Sequence, residues 1–220
     1  MKNRTFAALA ATAFLAACEP AGEPDPPPVT PQTSAAVGAT PSPEPAPSAT
    51  TTFAEPNPVD VRPQLVAEAL ILAEWGKAEN KDSCAPMAFN STGSARGAPR
   101  PANFGGGWAI AFDLPNLRSA YGLAGTGVLS SDANPSEADR AALMKQWPYF
   151  RELAQLPQPA FAGYGVEGAA AYPADNPSGR GINSLAYVRI GGERCLYNVW
   201  SRLGRRHLEK LLEALRPVRT

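Results

Sequence analysis

The sequence predicts that residues 63–220 fold as a single α+β domain, with a mainly antiparallel sheet of about five strands and roughly three helices packed on it. Three patterns support this prediction. The segment WAIAFDL at 108–114 alternates large and small side chains, as a half-buried strand does. Two apolar runs flank Gly191-Gly192 as in a hairpin, and leucines recur at helical spacing near the carboxyl end. The order α, β-rich, α, β-rich, α predicts that the helices cover one face of the sheet.

The first half of this domain is predicted to contain one helix and a strand pair. Apolar residues at spacings of three and four indicate a helix that opens near Pro63 and reaches Gly76. The run CAPMAF at 84–89 favours a short strand, whereas residues 90–107 are rich in glycine, proline and polar side chains and predict no element. The segment SAYGLAG at 119–125 is the expected hairpin partner of residues 108–114.

A second helix is expected after residue 133. Asn134 is its predicted cap, with Pro135 in the first position and Glu137 in the third, and the helix should end or bend before Pro148. If it continues, Phe150 and Leu153 fall on its apolar face.

The remaining elements are a strand, a hairpin and a last helix. The strand is expected in FAGYGVEGAAAY at 161–172. The hairpin over residues 184–200 places Val188 opposite Cys195, so that Cys195 points to the core with Ile190, Tyr197 and Val199. The leucine stripe that predicts the last helix consists of Leu208, Leu211, Leu212 and Leu215.

The first 18 residues have the layout of a secretion signal. Lys2 and Arg4 precede an apolar stretch of about ten residues, which is too short to cross a bilayer, and acidic residues and prolines follow at once. The sequence Leu15-Ala16-Ala17-Cys18 resembles the lipobox of bacterial lipoproteins. The resemblance implies that a signal peptide, residues 1–17, is removed and that Cys18 receives acyl chains, palmitate among them, as a membrane anchor. Glu19 favours the outer membrane, with the domain facing the periplasm. An ordinary secretory signal with a chance cysteine is the alternative.

Residues 18–62 combine the predicted lipidation site with a proline-rich linker. About half of the chain's 24 prolines lie here, and large apolar residues are almost absent. This composition cannot bury enough surface to offset the entropy of ordering, so we expect a disordered tether with a reach on the order of 100 Å. Such a tether would present the domain to the cell wall or to another envelope protein.

The two cysteines of the domain, Cys84 and Cys195, are expected to form a disulfide in an oxidising compartment. The alternative is a reactive thiol, which would need a nearby base, and His207 is the chain's single histidine.

The charges of the whole chain balance, with 20 Lys and Arg against 20 Asp and Glu, but nine basic residues face three glutamates from Arg180 onward. A solvated helix face explains this excess, and a basic face that prefers lipid headgroups or wall polymers is the alternative. The aromatic-flanked basic stripes of nucleic-acid binders are lacking, so no nucleic-acid partner is expected.

Motifs for catalysis are scarce. His207 lies beside the leucine stripe, which predicts a surface or boundary residue and not the base of a Ser-His-Asp arrangement. Residues 163–168 match G-x-G-x-x-G, but the strand-to-helix context of a dinucleotide site is missing, so no cofactor is expected. In the oxygen-rich segment that starts at Asp132, Glu137 occupies the glycine position of a calcium loop and Leu143 occupies its glutamate position, and the zinc spacings are absent, so no metal is expected.

Two sets of residues remain as candidates for a site. Asp113, Glu167 and Asp175 are the carboxylates that a glycan hydrolase would use as acid and base. A binding domain would instead use aromatic side chains in a groove for glycan or peptide, although most such rings belong to cores. The predicted ligand contacts are Trp108 and Trp200, with Arg118 and Arg202 as their polar partners.

These observations favour a lipid-anchored cell-envelope protein whose domain binds or scaffolds a partner without catalysis. An envelope hydrolase that cleaves wall glycan or peptide through carboxylates is the alternative, so whether the chain is an enzyme stays open. The expected partners are the membrane, through the lipid, and either the cell wall or another envelope protein.

Overall fold

The computed structural model describes residues 64–129 and 134–220, so the predicted signal peptide, Cys18 and the linker lie outside the described residues. None of the described helices is both long and apolar enough to cross a membrane. The described elements follow one another as α1 (Glu68–Trp75), β1 (Met87–Phe89), β2 (Ala98–Pro101), β3 (Trp108–Leu114), β4 (Leu117–Val128), α2 (Glu137–Gln146), β5 (Tyr149–Glu152), β6 (Phe161–Val166), β7 (Ser184–Arg189), β8 (Cys195–Ser201), α3 (Arg205–Ala214) and β9 (Leu215–Pro217).

Seven strands form one antiparallel sheet in the order β2-β3-β4-β8-β7-β6-β5, and β1 pairs with β9 in a separate two-stranded sheet. The α+β prediction is therefore confirmed. The expected number of about five strands was too low, because β2, β5 and β9 are too short to show an alternating pattern.

Two of these short strands occupy segments for which the sequence predicted something else. β2 lies within residues 90–107, where no element was expected, and its Pro99 and Pro101 are tolerated because β2 is at the edge of the sheet. β5 lies directly after Pro148, where the second helix was considered to continue. The backbone turns there because Trp147 already has an extended conformation, with φ −111° and ψ 140°.

The ends of the helices also differ from the prediction. α1 begins at Glu68, later than expected. α2 is capped by Ser136 and not by Asn134, because Ser136 forms a capping box with Asp139. The Ser136 Oγ accepts a bond from the backbone N–H of Asp139 at 3.1 Å, and the Asp139 carboxylate accepts one from the N–H of Ser136 at 2.8 Å. At the end of the chain Leu215 is buried as predicted, but it begins β9.

The predicted disulfide is confirmed: Cys84 and Cys195 are bonded, with an S–S distance of 2.05 Å, and both are fully buried. The predicted register of the hairpin was wrong, since Val188 pairs with Tyr197 while Cys195 pairs with Val128 of β4. The loop from Ile190 to Arg194 is longer than a two-residue glycine turn, and this length shifts the pairing. A shift of two residues preserves the face, so Cys195 and Tyr197 still point to the core.

The helices lie on both faces of the sheet, which corrects the expectation of one covered face. α1 packs against β3, and α3 packs against β8 and β7, over the main core. α2 packs against β6 on the opposite face, where Trp147 covers Gly163 so closely that a Cβ there would lie 2.7 Å from its Cδ1. The part of this second face over β7, β8 and β4 carries no described helix.

Candidate ligand groove

The helix-free part of the second face forms a groove with a volume of about 680 Å³. Its floor comes from β7 and β8, where Leu185 pairs with Trp200 and Tyr187 pairs with Asn198. These four side chains share one face because residues two apart on a strand point the same way. The walls are the segment 102–104, the start of β4 at 118–119, and the pair of Glu167 and Asn183.

An aromatic corner closes one side of the groove. The rings of Trp200 and Phe104 lie 5.8 Å apart at an angle of 34°. The Trp200 indole rests on Gly122, where any Cβ would collide with the indole ring and with the carbonyl oxygen of Ile110. Because Trp200 is only 8% exposed, it forms the base of the groove and offers little free ring surface for stacking.

Asn198 is the unusual residue of the floor. It is 8% exposed, and its Oδ1 is buried without a hydrogen-bond partner among the described residues. Leaving such a group unpaired costs about 1–3 kcal/mol, and native structures keep few of them. The amide lines the groove, and a half-turn about χ2 exchanges its oxygen and nitrogen. As placed, the Oδ1 is enclosed by the protein, so a ligand in the groove would meet the Nδ2 end of the amide, or the oxygen after that half-turn.

One end of the groove is basic. Arg118 begins β4 and Arg202 follows β8, which brings their backbones together at the same end of the sheet. The Arg202 Nη1 donates to the carbonyl oxygen of Arg118 at 3.5 Å. Beside them, Ser119 accepts a bond from Arg100 Nη2 at 2.6 Å and donates its N–H to Asp113 at 2.6 Å. These bonds fix the start of β4, and with it the position of Arg118.

The opposite wall carries a carboxylate. Glu167 lies at the end of β6, and its Oε2 accepts a bond from Asn183 Nδ2 at 3.1 Å. The backbones of the two residues are also joined, since the N–H of Glu167 donates to the carbonyl oxygen of Asn183 at 3.0 Å. Because Val166, Ser184 and Ser201 pair in one row, Glu167 and Asn183 lie at the same end of the sheet as Arg202. The groove is therefore polar at this end and aromatic next to it, around Trp200, and such a mixture is the composition of many ligand sites.

Three of the four predicted ligand contacts, Arg118, Trp200 and Arg202, line this groove. Trp108 does not: it lies on the other face, is 1% exposed, and packs edge-on against Tyr197 at 6.4 Å. A Cβ at Gly125 would lie 2.6 Å from its indole nitrogen, so Trp108 belongs to the core. Sequence alternation places Trp108 on a strand but does not show which face of the sheet stays open.

The predicted carboxylates are not brought together in the groove. Glu167 is the one acidic residue in its described lining. Asp113 is paired with Arg100 at 2.8 Å, and the hydrogen bonds from Arg100 and from the Ser119 N–H lower the pKa of Asp113. A carboxyl held in this way is a poor proton donor near neutral pH. Asp175 lies exposed in the loop before β7.

The contact between Ser201 and His207 was not predicted from the sequence. The Ser201 Oγ lies 2.9 Å from His207 Nδ1, and His207 Nε2 lies 3.3 Å from the carbonyl oxygen of Thr92. Burial lowers the pKa of His207, so the ring is neutral at pH 7, and it lies against the ring of Tyr121. Ser201 is fully buried on the face opposite the groove, which makes the pair a structural contact between β8 and α3.

The glycine motif and the metal candidates have structural explanations. Gly163 and Gly165 leave room for Trp147 and Pro148, and β6 leads into a turn that is closed by a bridge from Val166 to Ala170, not into a helix. Within residues 64–129 and 134–220, no three His, Cys, Asp or Glu side chains are grouped so that they could hold a metal ion. Asp132, from the calcium-loop comparison, lies outside the described residues.

The assignment of this groove as a candidate ligand site rests on the geometry described above. Comparison with protein-family models, with curated proteins and with solved structures finds no match to this chain.

Proposed function

We propose that this chain is a lipid-anchored cell-envelope protein whose domain binds a ligand in the groove on the second face of its sheet, without catalysing a reaction. The lipobox-like sequence before Cys18 and the proline-rich linker support an anchored, extended presentation outside the cytosol. The buried disulfide supports an oxidising compartment, in which such bonds persist.

One observation carries the binding function: a nearly buried amide, Asn198, faces the groove while part of it has no partner inside the protein. An apolar side chain would fill this position of β8 at lower cost, because buried polar groups are costly unless they are bonded. The neighbouring residues Trp200 and Leu185 are apolar, so a ligand polar group would meet Asn198 in a partly dry setting.

The binding function is tested with the full mature chain and two probes, purified cell-wall sacculi and detergent-solubilised envelope proteins. We expect co-sedimentation with the wall, or cross-linking to an envelope protein, that Asn198→Leu weakens by roughly tenfold. Asn176→Leu is the matched control, because Asn176 does not line the groove and its amide bonds Arg180 and Ser178. No binding to either probe, or equal loss in both variants, would contradict the proposal.

The anchor is tested separately by mass spectrometry of protein extracted from membranes. We expect the amino terminus at Cys18, with acyl chains on that residue. An unmodified Cys18, or an uncleaved leader in the soluble fraction, would contradict the anchored location and would leave the groove hypothesis to its own test.

A further inference from the structure

We infer that the groove takes the end of a peptide: an extended segment of about four residues whose free carboxylate lies between Arg118 and Arg202 and whose backbone amide meets Asn198. This inference rests on the proposed function and names the ligand class of the same site.

The arginines of the groove are available for an anion. Within the described residues, Arg118 and Arg202 form no ion pair, whereas Arg100 bonds Asp113 and Arg151 bonds Glu213. The bond from Arg202 to the carbonyl oxygen of Arg118 holds one guanidinium at the groove end. A guanidinium presents a fork of N–H groups that matches a carboxylate, and the two arginines in the groove lining outnumber its one carboxylate, Glu167, so the groove favours a group with a negative charge.

The spacing of the polar groups fits an extended chain. Asn198, Trp200 and Arg202 alternate along β8 and its continuation, since the N–H of Arg202 still bonds the carbonyl oxygen of Ala120. At about 3.3 Å per residue, Asn198 and Arg202 are roughly 13 Å apart along the strand. A peptide of about four residues spans this length. In an acidic monosaccharide the amide and the carboxylate lie closer together than this spacing.

The side chains between Asn198 and the two arginines are apolar. Trp200, Phe104 and Leu185 lie between Asn198 and the arginines, so the groove favours a peptide with an apolar side chain near its end. The end of the Asn198 amide that faces the groove can bond the complementary group of a peptide backbone amide. Pairing of the peptide with the β2 edge of the sheet is disfavoured, because Pro99 and Pro101 interrupt the row of donors there.

The test uses the immobilised full mature chain and a mixture of N-acetylated tetrapeptides, in which every sequence is present as a free acid and as a carboxyl-terminal amide. Captured peptides are eluted and quantified by mass spectrometry, so the readout is the ratio of acid to amide for matched sequences. We expect an acid-to-amide ratio of about ten on the unmodified protein. The double variant Arg118→Ala/Arg202→Ala should lower the ratio to about one.

Two controls separate groove binding from general charge and from unfolding. Arg180→Ala/Arg206→Ala removes the same number of charges near the start of α3, from residues that line a different cleft, and should keep the ratio near ten. Asn198→Leu should lower the capture of acids and amides alike by roughly tenfold without changing their ratio. Melting curves establish that each variant is folded.

The outcomes distinguish this inference from the proposed function. Equal, Asn198-dependent capture of acids and amides would overturn the carboxylate assignment and would leave the groove as a binding site. N-acetylmuramic acid is added to the same mixture as a further probe, and its capture without capture of any peptide would overturn the peptide and would indicate an acidic sugar instead. Capture of neither, with wall or envelope binding intact, would overturn this inference alone, and loss of that binding as well would overturn both.

Discussion

Replacing Asn198 by leucine should make the protein more stable while it weakens binding roughly tenfold. The side chain is nearly buried, and one polar end of its amide has no partner, which costs about 1–3 kcal/mol in the native state. Leucine branches at the same carbon as asparagine and is better suited to a strand, and at this position it faces the groove, where its extra volume meets no packed core. We therefore expect the free energy of unfolding to rise by about 1–2 kcal/mol, which corresponds to a gain in Tm of about 2–8 °C for a domain of this size.

The assay is thermal and urea unfolding followed by far-UV circular dichroism, on the same preparations that are tested for binding. Asn176→Leu is again the control, because its amide is fully bonded to Arg180 and Ser178. It should lower stability by about 1 kcal/mol or more. If Asn198→Leu destabilised the protein as Asn176→Leu does, the Asn198 amide would be satisfied in solution, and the reasoning that assigns it to a ligand would be refuted.

Three further predictions concern the core and its two faces. Removal of the disulfide by Cys84→Ala/Cys195→Ala opens a loop with a sequence separation of 111 residues, and it should lower the free energy of unfolding in urea by about 4–5 kcal/mol; a loss below about 1 kcal/mol would contradict the chain-entropy account. Because burial lowers the folded-state pKa of His207, the unfolded chain binds its proton first. Stability should therefore fall as the pH drops below about 6.5, by at most about 1.4 kcal/mol per pH unit. His207→Gln should remove this component from urea titrations at pH 7.5 to 5.5, and an unchanged difference across that range would count against it. Gly122→Ala should cost about 2–4 kcal/mol in thermal unfolding, because its methyl group collides with the Trp200 indole and with a strand carbonyl; a neutral effect would mean that the indole does not rest on Gly122.

The elements that the sequence predicted well are those with long, regular patterns. WAIAFDL became β3, the leucine stripe became α3, and the apolar runs beside Gly191 became β7 and β8. The disulfide between Cys84 and Cys195 was predicted from compartment and cysteine number, and the structure contains it. These features depend on local periodicity or on simple counting, and both are visible in a single chain.

The short strands and the hairpin register could not be predicted in the same way. A three-residue strand such as β9 exists because β1 is available to pair with it, and sequence alone does not show that partner. Val188 pairs with Tyr197 and not with Cys195, because the loop at Ile190–Arg194 contains residues that a tight glycine turn would have paired. The placement of Cys195 in the core was nevertheless correct, because the error was an even number of residues.

The residues of the candidate site were also predicted only in part. The sequence identified Trp200, Arg118 and Arg202 as residues with the chemistry of a ligand contact, and it ranked Trp108 beside them. It gave no sign of Asn198, because an asparagine in a strand becomes unusual only when its burial and missing hydrogen bond are known.

The sequence alone carried the predictions of a secretion-type leader and a proline-rich linker, and it determined that the domain is built from strands and helices. These depend on residue type and on spacing along the chain. The tertiary structure decided that α2 lies on the face opposite α1 and α3 and that it leaves β7 and β8 open. Which face a helix covers depends on contacts between residues far apart in sequence, such as the contact of Trp147 with Gly163. The hydrophobic periodicity of the sequence does not show such contacts.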